Sequence, residues 1–216
     1  MKEIIKLFWE AILWMELLAA IVGLIYYQKL KNTYWKWFVY YLVAIFCLEA
    51  FSEWGMCNAS SFRRYYFDFF VIPLEFIFMY WLYAYQSLQR KKMFWIFTSI
   101  YICSFIPHLF YLNEVRMINS LSYTLGDLLL LILVIKEYFK QLKSDNILNF
   151  KTNKMFYINA GVMLFYIGTL PLFAFDKFLY EKAKNVWQYY YIFFLIANCV
   201  MYGLFAVSFV WGKQKT

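Results

Sequence analysis

A single histidine, three prolines and seven glycines in 216 residues are thin material for catalysis or for long irregular loops. One histidine, His108, excludes a His-rich zinc site on ligand count. The cysteines Cys47, Cys57, Cys103 and Cys199 form no C-x-x-C pair. Three of the four fall inside apolar runs, where small packing residues are the expected role. No phosphate-binding loop, dinucleotide fingerprint, H-E-x-x-H or G-x-S-x-G is present, so neither an enzyme nor a cofactor is expected. The run Val186–Trp211 contains no lysine, which excludes a retinal Schiff base there. Tyr66-Phe67-Asp68 and Leu125-Gly126-Asp127 distantly resemble the two motifs of intramembrane aspartyl proteases. The inserted Phe67, the missing first glycine and the unequal depths of the two aspartates argue against a shared-proton dyad.

Charge is also scarce, at 16% of residues, and what replaces it is hydrophobic: 64% apolar and 25% aromatic, with a mean hydropathy of +0.54. Such values lie outside those of soluble domains. The length holds about seven membrane spans of roughly 20 residues and no further catalytic domain. The expected fold is an all-α, polytopic membrane helical bundle over residues 1–216 as one domain. The net charge of +8 does not imply nucleic acid, because the basic residues form short clusters between apolar runs and no basic-aromatic module occurs. The lipid bilayer, with its phosphate headgroups, is the expected anionic neighbour.

In order, the expected spans are Leu7–Tyr27, Tyr34–Trp54, Phe67–Tyr85, Met93–Leu112, Met117–Tyr138, Met155–Phe175 and Val186–Trp211. The first is read as retained and not as a signal peptide, since it carries Glu10 and Glu16 and has no small-residue cleavage site. Counting Lys and Arg gives 13 on the side of the first, third and fifth connections and the C-terminus, against 8 on the other. That bias places the N-terminus outside and the C-terminus inside an inner (plasma) membrane.

Ionisable residues within a span are costly in hydrocarbon and should face the bundle interior. In the expected orientation Glu49, Glu53, Glu75, His108, Asn119, Asp127 and Asn198 lie between the outer surface and the midplane. The inner halves Ile77–Tyr85, Leu128–Val134 and Leu204–Val210 read as nearly all apolar. This asymmetry predicts a polar pocket open to the outside and closed below, taking a small molecule or a proton. Structural readings stand beside it. The carboxylates of spans two and three would pair with Arg63, Arg64 or His108, Asp127 would act as helix-helix glue, and Glu10 would pair with Lys6. Glu16, near mid-span, is expected to face inward.

Leu48-Glu49 and Trp54 at the end of span two, Ile72-Pro73-Leu74-Glu75-Phe76 in span three and a proline late in span four together resemble the seven-helix membrane sensor region of bacterial histidine kinases. The resemblance covers about Tyr41–Leu112. It implies the same topology and signal detection at or within the membrane. The chain stops at Thr216 without a dimerisation helix or kinase domain, so the resemblance implies a stand-alone sensor acting on a separate protein partner. The alternatives are a small ion- or proton-coupled transporter and a structural subunit of a membrane complex.

Overall fold

A computed structural model describes residues 2–55, 60–106, 115–143 and 152–212. The described residues are helical almost throughout, with no strand among them. In hydrocarbon a backbone must satisfy its own hydrogen bonds, which leaves apolar runs of this length little but helix.

The helices are α1 (Lys2–Ile25), α2 (Tyr27–Leu30), α3 (Trp35–Gly55), α4 (Ser60–Tyr66), α5 (Ile72–Tyr80), α6 (Lys91–Cys103) and α7 (Val115–Lys143). They continue as α8 (Lys154–Val162), α9 (Gly168–Ala174), α10 (Asp176–Lys182) and α11 (Lys184–Trp211). Wider π-helical turns interrupt three of the runs: π1 (Phe67–Val71), π2 (Trp81–Ser87) and π3 (Met163–Ile167). Two of these lie just ahead of a proline. Pro73 and Pro171 have no N–H to offer the carbonyl four residues back, which falls at Phe69 in π1 and Ile167 in π3. The ladder widens there, and the Ile72 N–H reaches five residues back to the Phe67 carbonyl.

Five stretches are long and apolar enough to cross a membrane: Ile5–Ile25, Trp35–Gly55, Phe62–Ser87, Lys154–Ala174 and Lys184–Trp211. They match the expected spans one, two, three, six and seven within a few residues and make this a multi-pass membrane protein. The expected spans four and five correspond to α6, which is 13 residues long as described, and to α7, which carries Asp127, Lys136 and Glu137.

The chain divides into two compact units, Met1–Leu74 with Asp145–Gly161 and Leu195–Thr216, and Glu75–Ser144 with Val162–Phe194. In the first, α1 and α3 form a helical hairpin. Thr33 Oγ1 closes its turn on the Leu30 carbonyl at 2.8 Å, and the Tyr27 and Tyr40 hydroxyls hydrogen-bond beside it. The core of this unit centres on Phe38, whose ring lies 5.2 Å from Phe205 and 5.6 Å from Phe209. Gly23 opposes Val39 and Phe209, and Gly161 lets α8 approach the backbone of α11 at Met201. As expected, Glu10 pairs with Lys6 and Glu16 is buried.

The second unit is built on α5–π2, α6 and α7. The contacts run in opposite senses along α6: Phe94 meets Tyr85, Phe97 meets Tyr80 and Tyr101 meets Phe76. Ser122 of α7 donates to the Ser104 carbonyl, while Tyr80 donates to Gly126 and Ser87 to Glu137. Thus α5–π2 and α7 run parallel, with α6 antiparallel to both. Phe76 is the hub of this packing, with ring centroids of Tyr101, Tyr123 and Tyr166 at 5.2, 5.3 and 5.5 Å. Each such aromatic pair contributes about 0.5–1.5 kcal/mol, which matters where lipid removes most of the hydrophobic drive between helices.

One expectation is corrected. Cys47 and Cys103 are exposed, so they are not packing residues of the interior, and Cys199 is half-buried. The two exposed thiols point away from the helix packing, where a small, weakly polar side chain is readily accommodated. Cys57 lies outside the described residues.

Candidate functional site

The residue next to the aromatic hub is Glu75, in the first turn of α5. One helix away, Gly126 and Asp127 sit on the buried face of α7. Gly126 has Tyr101 and Phe76 rings so close that a Cβ would stand 2.9 and 3.0 Å from them. Its carbonyl accepts the Tyr80 hydroxyl at 2.9 Å. The absent side chain brings α5 and α6 against α7 at this level and sets Asp127 among phenols.

Asp127 is 1% exposed, and neither carboxyl oxygen has a hydrogen-bond partner among the described residues. Its charge acts on the Tyr80 and Tyr123 hydroxyls, and Glu75 acts on Tyr123 as well. Tyr123 therefore lies within electrostatic reach of both carboxyls. Its ring stacks on Phe173 of α9 with centroids 3.9 Å apart. The cluster offers two carboxyls and a phenol in apolar surroundings, a set that can hold a proton or a small polar or cationic group. Among the described residues no group of three His, Cys, Asp or Glu side chains is placed to hold a metal ion.

The remaining expected site residues divide between the units. Glu49 is half-buried in α3, with its carboxyl against Glu16 of α1 and with Arg63 and Glu53 near enough to act on it. Glu53 forms the expected ion pair with Arg63. The Tyr66 hydroxyl donates to the Leu48 carbonyl at 3.2 Å, tying α4 to the end of α3. Asn198 is half-buried in α11, and its Oδ1 has no hydrogen-bond partner among the described residues. Glu49, Glu53 and Asn198 belong to the first unit, Glu75 and Asp127 to the second. His108 and Pro107, the proline late in the expected fourth span, lie outside the described residues, as does the side chain of Asn119.

A second polar cluster, at the far end of α7, escapes the sequence reading. Glu137 is 2% exposed and accepts the Ser87 hydroxyl at 2.7 Å and the Gln141 amide at 3.2 Å. Lys140 Nζ donates to the Ser87 carbonyl at 2.6 Å and to its Oγ at 3.0 Å, with Glu137 Oε2 3.9 Å away. The Tyr83 hydroxyl is buried nearby, feels the Glu137 charge and has no hydrogen-bond partner among the described residues. The signal was present in the spacing. Asp127, Leu130, Val134 and Glu137 follow the helical i, i+3, i+7, i+10 pattern, and all four are buried. The expected fifth span ends at Tyr138, one residue past Glu137, whereas α7 runs on to Lys143 and carries Lys140 and Gln141 alongside it. Removing the hydroxyl with Ser87→Ala should cost on the order of 1 kcal/mol, because Glu137 keeps Gln141 and Lys140. Thermal unfolding of the purified protein would read this as a small drop in midpoint.

No family model matches this chain, and neither a curated protein nor a solved structure is significantly similar to it.

Proposed function

We propose that this chain is an integral membrane sensor of receptor-like type, whose site at Glu75, Tyr123 and Asp127 takes up a proton or small polar ligand from outside. The change in α5–α6–α7 packing would then be passed to a separate protein partner, as the resemblance to kinase sensor regions implies. The observation that carries this reading is Asp127. A carboxyl taken from water and left without a hydrogen bond is costly whichever way it is charged. Held in that state, its oxygens are available to a ligand.

Occlusion favours sensing over conduction. Between the Asp127 and Glu137 levels, Met79, Leu82, Leu130, Leu133 and Val134 are all buried and apolar. A ligand at Asp127 therefore bears on packed helices, the arrangement that turns occupancy into a shift between conformations. The three-helix order of the second unit supports the seven-span topology, since parallel α5–π2 and α7 need α6 to return across the membrane between them. With the excess of Lys and Arg on the other side, it supports an N-terminus outside and a C-terminus inside.

A transporter reading has one specific observation in its favour. The Tyr80 and Tyr83 hydroxyls lie within the apolar layer, and Glu137 lies beyond it, so polar groups recur along the α5–π2 and α7 interface.

Accessibility separates these readings. Single cysteines would be placed in a cysteine-free background by Asp127→Cys, Tyr123→Cys, Leu130→Cys and Leu133→Cys. Each would be treated with a membrane-impermeant thiol reagent from one side at a time. The sensor predicts modification of the first two from outside only. Modification of Leu130→Cys or Leu133→Cys from the inner side would establish a through-path and replace the sensor by a transporter. No modification at any position would leave a structural subunit.

A further inference from the structure

The turn that follows π2 carries Arg90, Lys91 and Lys92 in succession, all exposed. Together with Met93, Ile96 and Phe97 of α6 they line an open pocket of about 530 Å³. The turn is held firmly. The Leu88 N–H bonds the Tyr83 carbonyl and the Arg90 N–H the Ala84 carbonyl, each at 2.8 Å, and Gln89 adopts a left-handed φ of 56°. Lys140 fastens the same turn through the Ser87 carbonyl.

We propose that this pocket binds an anionic phospholipid, its phosphate at Arg90–Lys92 and an acyl chain along Met93, Ile96 and Phe97. Three features fit that occupant better than a soluble anion or a protein. The first is uncompensated charge. None of the three cations makes an ion pair among the described residues, and no acidic side chain lines the pocket. Glu137, the acid near the turn, is committed to Ser87 and Gln141.

The second feature is level. The cations come directly after the membrane-crossing stretch Phe62–Ser87, where headgroups lie. The third is the apolar wall. Ile96 is 55% and the adjacent Trp95 64% exposed, and Ile96 and Phe97 stand about 9–10 Å along α6 from Arg90 at 1.5 Å per residue. A phosphate held at the mouth would lead its acyl chain onto that wall. A free phosphate has no use for it. Lys91 Nζ also lies over the Tyr85 ring, 5.2 Å from its centroid, which positions the ammonium group while leaving it N–H donors for a phosphate oxygen.

The test is native mass spectrometry of the full chain, released from micelles containing equal amounts of phosphatidylglycerol and phosphatidylcholine. The native chain should retain phosphatidylglycerol preferentially. Losing one cation in Lys91→Gln should lower that preference about five-fold. The triple variant Arg90→Gln/Lys91→Gln/Lys92→Gln should abolish it, with an unchanged thermal midpoint because the three side chains are exposed. A control triple, Lys29→Gln/Lys31→Gln/Lys36→Gln, should keep the preference. Ile96→Asn should weaken lipid retention by spoiling the acyl wall. Equal retention of the two lipids by the native chain would overturn the proposal. So would a preference that survives the triple variant, or full displacement of the lipid by inorganic phosphate.

Discussion

Asp127→Leu is expected to raise the stability of the protein by about 1–3 kcal/mol while abolishing its response. Removing a buried polar group normally does harm because its partner is left behind. Here neither oxygen has a hydrogen-bond partner among the described residues, so an apolar side chain of similar length strands nothing. It would meet the Phe76–Tyr101–Tyr123 aromatic packing in place of a group that packing cannot solvate. Thermal unfolding of the purified chain reads the stability arm as a raised midpoint. Asp127→Asn separates chemistry from shape: it keeps the volume and polarity, leaves the midpoint close to the native one, and still removes the titratable and anionic states. A clear loss of stability in Asp127→Leu would show that Asp127 holds helices together by hydrogen bonding, and the sensor would lose its central residue.

The legible part of this molecule was the part governed by hydropathy. Runs of about 20 apolar residues locate five membrane-crossing helices, because hydrocarbon excludes an unpaired backbone whatever the side chains are. Local pairing was also readable: Glu10 four residues from Lys6 on one helix face, and Glu16 turned inward from mid-span. The Glu53–Arg63 pair followed from a carboxylate and a guanidinium on either side of one short connection.

Less legible was everything that depends on register between helices. The π turns ahead of Pro73 and Pro171 rotate the following segment by an amount that spacing rules for a regular helix do not contain. Phe76, Tyr101, Tyr123 and Tyr166 look like any other members of an aromatic-rich sequence, and what makes them a hub is the gap at Gly126. The inner halves seemed apolar because tyrosine was counted with the hydrophobes. Tyr80 spends its hydroxyl on the Gly126 carbonyl, and Tyr83 carries one into the same layer.

Gly126 is where the second large effect is expected. Gly126→Ala should destabilise the second unit, and Gly126→Val should cost about 3 kcal/mol or prevent folding. In an ordinary helix position alanine gains up to about 1 kcal/mol over glycine. Gly23→Ala illustrates that case: its Cβ would stand 3.3 Å from Val39 and 3.4 Å from Phe209, side chains that need to give way only slightly, so a midpoint near the native one is expected. At Gly126 the added carbon meets Tyr101 and Phe76, whose rings are 0% and 1% exposed and have no free volume to retreat into. Relief must come from moving α5 and α6 off α7, which lengthens the Tyr80–Gly126 hydrogen bond and withdraws Glu75 from Tyr123. The same methyl group should therefore lower the thermal midpoint and change thiol access at Tyr123→Cys. If Gly126→Ala unfolds like the native chain and leaves that access unchanged, the aromatic hub is looser than its geometry requires and cannot be what couples the carboxyl site to helix packing.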